Sequence, residues 1–382
     1  MLEQSKEFEE FIREIYGEGY IPLHRPLFSS KEKDYLNECI DSNFVSSSGK
    51  KVEEFENKIK GFTNSEFAIS CVNGTCALHL ALKASRVNEG EEVITQALTF
   101  VATPNSIRHA GAHPVFIDVD KDTLGMSPIA LEKFLLENSE RRKDKLFNKN
   151  SGRIISACIP MHSFGIPCRV KEISEICKEW GLYLIEDSAE SLGSYSQGKH
   201  TGNYGDLSIL SFNGNKIITT GGGGMIITND GDLASTAKHL STTAKKEHPY
   251  EYVHDQVGYN YRMPNLNASI GCAQIEKLNY FLSVKKDLAR KWEEFFDQTN
   301  INFVKPLQGD EANFWLNTIL MESKEDRDSF LKYTNDKEIN TRPAWSLMTK
   351  LPMYSSCYND GLKNSIWAED RLVNIPSSVP SN

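Results

Sequence analysis

A single lysine, Lys216, interrupts the stretch SFNGNKIITTGGGG (211–224), with small polar residues before it and four glycines after it. A lysine with few positive neighbours, next to glycines that let a planar ligand and the backbone approach closely, is suited to form an imine with a carbonyl. A Walker-type phosphate loop needs glycine directly before the lysine and serine or threonine directly after it. Asn215 and Ile217 hold those places here. Most lone lysines are solvated surface residues, so the reading depends on the company this one keeps.

Three other turns supply that company. In IEDSAESLG (185–193) an apolar strand ends on Glu186 and Asp187, where a carboxylate can meet a protonated ring nitrogen; a helix-capping aspartate is the bland alternative. In CVNGTCAL (71–78), Gly74 and Thr75 stand at a strand-to-helix junction whose free amides favour a phosphate, or simply cap the helix. In LTFVATPNS (98–106), Phe100 is placed either to stack on an aromatic ring or to pack in the core. One cofactor asks for all four features: an aldehyde for the lysine, a ring nitrogen kept protonated by a buried acid, a phosphate arm and a flat ring. That cofactor is pyridoxal 5'-phosphate.

The elements that must position these residues read as alternating strand and helix. FAISC (67–71) leads through a turn into CALHLALKASR (76–86). EEVIT (91–95), ATPNSIRHA (102–110) and PVFIDV (114–119) come next, then RIISACI (153–159), VKEISEICKEW (170–180) and LYLIED (182–187). Val170, Ile173, Ile176, Cys177 and Trp180 share one helical face. Right-handed crossovers gather such strands into one mainly parallel sheet with helices on both faces, and ligands collect beyond the carboxyl ends of its strands. Residues 266–297 read as one or two long helices leading away from that sheet. The expected organisation is a helical leader (1–20), a large cofactor-binding domain (21–250), and a connecting helix with a small α+β domain (251–382).

Composition narrows the partners. A chain of 382 residues, 39% hydrophobic, can bury a large core, and a net charge of -9 without a long basic run argues against nucleic acid and anionic membranes. No apolar run reaches membrane length, and the first twenty residues lack the charged-then-apolar order of a secretory signal. Eight cysteines without a CxxC pair read as reduced thiols, so the expected location is the cytoplasm. His109 and His113 lie four apart without an HExxH pattern, and no metal site is expected.

The ordered motifs NGTCALHLAL, ALTFVATPNSIRHAGAHPVFIDVD, IEDSAESLGS, SFNGNK, TTGGGGMI and GYNYRMPNLNASIGCAQIEKL resemble those of the DegT/StrS-type sugar aminotransferases over nearly the whole chain. Residues 19–56 and TRPAWSLMTKLPMY (341–354) look most like the branch that aminates nucleotide-linked sugars for legionaminic-acid-type nonulosonates. The resemblance implies the α/β fold of fold-type-I pyridoxal-phosphate enzymes: a mainly parallel seven-stranded sheet flanked by helices, plus a smaller C-terminal α+β domain.

Residue roles come from the same resemblance. Lys216 bonds the cofactor aldehyde and later carries the proton between cofactor and substrate carbons, while Asp187 pairs with the ring nitrogen. Gly74, Thr75 and Ser211 hold the phosphate, Asn213 joins the cofactor contacts, and Phe100 stacks on the ring. Asn260 reaches the phosphate of the neighbouring subunit, so a homodimer shares its sites. Glu190 stands near the ring hydroxyl, where much of the family has an amide or imidazole, and Gly222 replaces a common glutamate. His162 in PMHSFG is expected to line the pocket, or else to be a structural histidine. Arg262 and Arg342 are expected to meet the donor carboxylates or the sugar diphosphate, with surface pairing as the alternative.

The implied reaction is a two-step transamination from L-glutamate to the C4 ketone of a nucleotide-linked 4-keto-6-deoxy-N-acetylhexosamine. A perosamine-type GDP-sugar aminotransferase and a non-catalytic cofactor-binding regulator are the alternatives. A related dehydratase branch carries histidine where this chain has Lys216.

Overall fold

The computed structural model describes residues 2–380. Seven strands form the central sheet: β1 (Phe67–Cys71), β2 (Glu92–Gln96), β3 (His113–Ile117), β4 (Ile155–Ile159), β5 (Tyr183–Asp187), β6 (Leu207–Ser211) and β7 (Gly224–Thr228). Their order across the sheet is β1-β7-β6-β5-β4-β2-β3. β7 runs antiparallel to β1 and β6, and every other neighbouring pair is parallel.

The strands read as unbroken apolar runs because both faces of the sheet are covered. Adjacent residues of β6 show it. Ile209 packs with the helices Gly74–Ala84, Ala102–His109 and Gly231–Ser241. Leu210 packs on the other side with the helices Lys50–Thr63 and Asn265–Ile275. The expected α/β fold with a mainly parallel seven-stranded sheet is therefore the one observed.

The reversed direction of β7 puts the start of that strand where its neighbours end. Its first residue, Gly224, pairs with both Cys71 and Ser211, the last residues of β1 and β6. All three thus lie on the carboxyl edge of the sheet.

A second, antiparallel sheet contains β8 (Asn302–Phe303), β9 (Asn317–Leu320), β10 (Arg342–Pro343) and β11 (Leu372–Ile375) in the order β8-β9-β11-β10. Two helices, Asn265–Ile275 and Leu278–Phe296, lead to it. The N-terminal helix Leu2–Tyr16 packs on this second sheet, where Phe8 stacks on Trp292 with ring centres 5.4 Å apart. A further core containing Leu98, Phe116, Trp315, Leu347 and Tyr354 seals the second sheet's loops against the edge of the first. That closure brings Trp315 and Trp345 over the carboxyl edge. No helix among the described residues is long and apolar enough to cross a membrane.

Candidate active site

Lys216 lies on the loop between β6 and β7. Phe212 N–H donates to Gly223 O at 2.9 Å and Thr220 N–H donates to Phe212 O at 3.0 Å, closing the base of the loop. Asn267 Nδ2 pins its far side by donating to the carbonyls of Thr220 and Gly222 at 2.8 and 3.1 Å. A Cβ at Gly224 would stand 2.3 Å from Asn73 O, so only glycine lets the 73–74 turn approach this strand. Gly222 has open space instead, its nearest contact being Val72 O at 3.9 Å.

The loop delivers Lys216 into a cavity of about 320 Å³ also lined by Gly74, Thr75, Phe100, Asp187, Glu190, Ser211 and Asn213. Eight of the expected residues thus meet in one place.

Strand alternation decides which acid of β5 serves the cavity. Glu186 turns inward, accepting the amides of Gly202, Tyr204 and Gly205 at 2.7, 2.6 and 2.6 Å. Asp187 faces the cavity, where Oδ2 accepts the Thr103 hydroxyl at 2.7 Å and Oδ1 the Ala189 amide at 3.2 Å. Burial pushes the Asp187 pKa up, against the opposing pull of these donors and of Lys216. At the far end, Asn73 caps the helix Gly74–Ala84 by accepting the Cys76 amide at 2.7 Å. The Gly74 and Thr75 amides, first in that helix, have no intrahelical acceptor and form an anion seat. A Cβ on Gly74 would come 3.2 Å from Ser211 Cβ, which shows how closely the serine faces this seat. An amine, a buried acid and an anion seat around one cavity are the donor set pyridoxal phosphate needs.

Residues 27–380 match the DegT/DnrJ/EryC1/StrS aminotransferase family. The chain belongs to this family. It is a sugar aminotransferase whose cofactor is pyridoxal phosphate. A GDP-perosamine synthase of Escherichia coli O157:H7 is 39% identical over 365 residues, covering 94% of this chain and 93% of that protein. A GDP-perosamine synthase of Vibrio cholerae is 35% identical over 365 residues, covering 94% of each. Among solved structures, Spr1654 from Streptococcus pneumoniae in its PLP form shares the fold, with a TM-score of 0.84 at 21% identity over 94% of each chain.

Glu190 gives the aminotransferase a second acid in the cavity. Its Oε1 lies 3.2 Å from Lys216 Nζ, and its Oε2 accepts the Phe164 amide at 2.8 Å. Phe164 has φ 60° and ψ 12°, a left-handed conformation unusual for an aromatic residue, which aims its amide at that carboxylate. Burial pushes the Glu190 pKa up to about 7 despite the nearby lysine.

Two walls of the aminotransferase cavity were not expected from sequence. The Trp315 ring centre lies 3.9 Å from Lys216 Nζ, and its Nε1–H donates to Asn215 O at 2.6 Å. Trp345 stacks on Phe164 with ring centres 4.8 Å apart. Nothing local to either tryptophan points to residue 216. Thr103 was within reach, since it sits in the turn already singled out for Phe100.

Three expected contacts fall elsewhere. His162 does not line the cavity: it is fully buried, its Nδ1 accepting the Cys168 amide at 3.2 Å and its Nε2 3.1 Å from Glu186 Oε2. The segment brings the preceding Met161 to the cavity, while the His162 side chain turns to the acid facing inward. Arg262 lines a separate bay with Lys245, Lys246, His248 and His254, because its segment runs alongside the end of β1 through the Val72–Tyr261 hydrogen bond of 2.9 Å. Arg342, exposed on β10, donates to Asn335 Oδ1 at 3.3 Å. Asn260 is exposed, bridged to Thr242, and outside its own chain's cavity.

Proposed function

We propose that this aminotransferase moves an amino group from L-glutamate to the C4 ketone of a GDP-linked 4-keto-6-deoxyhexose, giving a perosamine-type 4-amino-4,6-dideoxy sugar. The observation that carries the reaction is the meeting of Lys216 Nζ and the Asp187 carboxylate in one cavity of about 320 Å³. The choice of sugar is supported by the names of the relatives at 39% and 35% identity.

Bound pyridoxal phosphate supplies an electron-withdrawing ring that stabilises a carbanion beside nitrogen. The chain supplies the rest. Asp187, held by Thr103, keeps a cationic ring nitrogen paired. Gly74, Thr75 and Ser211 would receive the phosphate, and Phe100 and Asn213, which line the same cavity, would help hold the group. Lys216 moves the proton at the substrate carbon from one side only, which fixes the configuration of the new amine. Asn260 completes the phosphate seat of a partner subunit. The exposed Tyr250, Tyr252 and Val257 on the preceding loop support burial of that face in a homodimer.

A second substrate reading has one observation in its favour. The stretch 341–354, which carries the legionaminic-type resemblance, places Trp345 on the cavity wall. A 4-keto-6-deoxy-N-acetylhexosamine linked to UDP is therefore the competitor to test. Purified protein is incubated with pyridoxal phosphate, L-glutamate and each keto sugar, and the amino sugar is read by mass spectrometry. Amination of the GDP sugar is expected. Amination of the UDP sugar alone would overturn the substrate, and amination of neither would overturn the function.

A further inference from the structure

Glu190 and Lys216 stand as a closed acid–base pair in the cavity. Their side chains are 2% and 12% exposed, and Nζ to Oε1 is 3.2 Å. The carboxylate is not free to turn away, because the left-handed Phe164 turn fixes its other oxygen at 2.8 Å. Asn313 fixes the backbone as well, donating Nδ2–H to Glu190 O at 2.8 Å. The other charged group facing Glu190 is Asp187, three residues earlier, a like charge that disfavours a second carboxylate. Behind Lys216 lies the His24 ring, whose pKa burial lowers well below the ordinary histidine value. Burial penalises the charge of the Glu190 carboxylate and so raises its affinity for a proton, and the nearest donor is the Lys216 nitrogen.

We propose that Glu190 is a catalytic residue that takes the proton of the Lys216 ammonium and returns it. The proton crosses from Nζ to Oε1, so ammonium and carboxylate become amine and carboxylic acid, and the nitrogen lone pair is free for the cofactor's aldehyde carbon. When the nitrogen is next released, the same proton moves back. The use of this exchange in turnover rests on the transamination reading above; the exchange itself does not. It also accounts for an acid here: an amide at position 190 would accept the Phe164 hydrogen bond equally well but take no proton.

The test begins with cofactor-free protein. 1-Fluoro-2,4-dinitrobenzene, which does not itself titrate, reacts only with the amine form of lysine, and arylation of Lys216 is followed by peptide mass spectrometry from pH 6 to 9. When the pair shares one proton, the amine fraction stops depending on pH once the pair's other proton has left. The wild-type rate is therefore expected to rise about tenfold per pH unit below the Glu190 pKa of about 7 and to level above it. In Glu190→Gln the rise should continue through that break, and in Glu190→Asp the break should return. Circular dichroism confirms that each variant is folded. In the cofactor-loaded enzyme, Glu190→Gln is expected to slow the half-reaction with L-glutamate by about a hundredfold, with partial recovery in Glu190→Asp. A wild-type rate that rises without a break, or an unchanged half-reaction in Glu190→Gln, would overturn the proposal. If the wild-type enzyme converts no amino donor, the transamination reading fails instead, and the labelling arm still decides whether the pair shares its proton.

Discussion

The Thr103 hydroxyl donates a 2.7 Å hydrogen bond to Asp187 Oδ2, tying the first turn of the helix after β2 to the end of β5. Asp187 lies where burial favours its neutral form, and this donor is one of the forces opposing that. Thr103→Val keeps the shape and removes the donor. A raised carboxyl pKa means that the folded chain holds the proton more tightly, so the associated stability is present below the unfolded value of 3.8 and lost as pH rises through the folded one. The variant should push the pKa further up and, without cofactor, lose about 1–3 kcal/mol more at pH 7 than at pH 4. Urea unfolding at both pH values measures this. Cofactor affinity should fall about tenfold, and unchanged affinity by equilibrium dialysis would remove Thr103 from the site.

Lys216→Ala should leave the fold intact, since the side-chain amine's polar partner is Glu190, which can take up a proton when its cation is removed. Turnover should drop by roughly a thousandfold or more. Borohydride treatment of the loaded wild-type protein should attach the pyridoxyl mass to the peptide containing residue 216. Attachment at another lysine would reject the assignment.

Much of the site is legible in the sequence because its residues sit where local chemistry is visible. Apolar runs locate β1 to β5 within a residue or two, and the ends of these strands or the turns after them carry Gly74, Phe100 and Asp187. The lysine stands out through its glycines, and the structure gives a reason at Gly224, whose Cβ would strike Asn73 O at 2.3 Å. What escapes depends on direction or distance. Glu186 and Asp187 are neighbours in sequence, and only the pleat sends one inward and the other to the cavity. His162, expected either to line the pocket or to be structural, lies beyond the end of β4 and turns to Glu186, the structural alternative. Trp315 and Trp345 approach from far along the chain, through packing of the second sheet's loops on Leu98 and Phe116. Periodicity carries no trace of that closure.

Asn260 tests subunit sharing. Under the proposed homodimer, Asn260→Ala should weaken cofactor binding about tenfold through the loss of one phosphate contact. Mixing it with inactive Lys216→Ala then creates one intact site per heterodimer, because each chain supplies what the other lacks. Random exchange should restore about a quarter of wild-type sites at limiting cofactor. No recovery, with exchange verified by native mass spectrometry, would confine each site to a single chain.

Lys285 makes a second pH-dependent prediction. It is 1% exposed, with its ammonium donating to Trp315 O at 3.3 Å and to Ser377 O, and it makes no ion pair among the described residues. Burial alone pushes its pKa down from 10.5 to about 7. Between these values the unfolded chain holds a proton that the folded chain has released, so stability rises with pH through this window. Below about 7 both states are protonated and the fold carries the full cost of a buried charge. Lys285→Met removes that dependence and leaves two carbonyls without their donor. At pH 6.5 the variant should therefore match or exceed wild type in urea unfolding. At pH 9.5 wild type should lead by an amount on the order of 3 kcal/mol. A stability difference that stays constant between the two pH values would mean that Lys285 remains charged throughout. Because Lys285 holds the Trp315 carbonyl and the Trp315 ring covers Lys216, the same variant should also lower kcat several-fold with KM little changed, a split that steady-state kinetics at pH 8 would show.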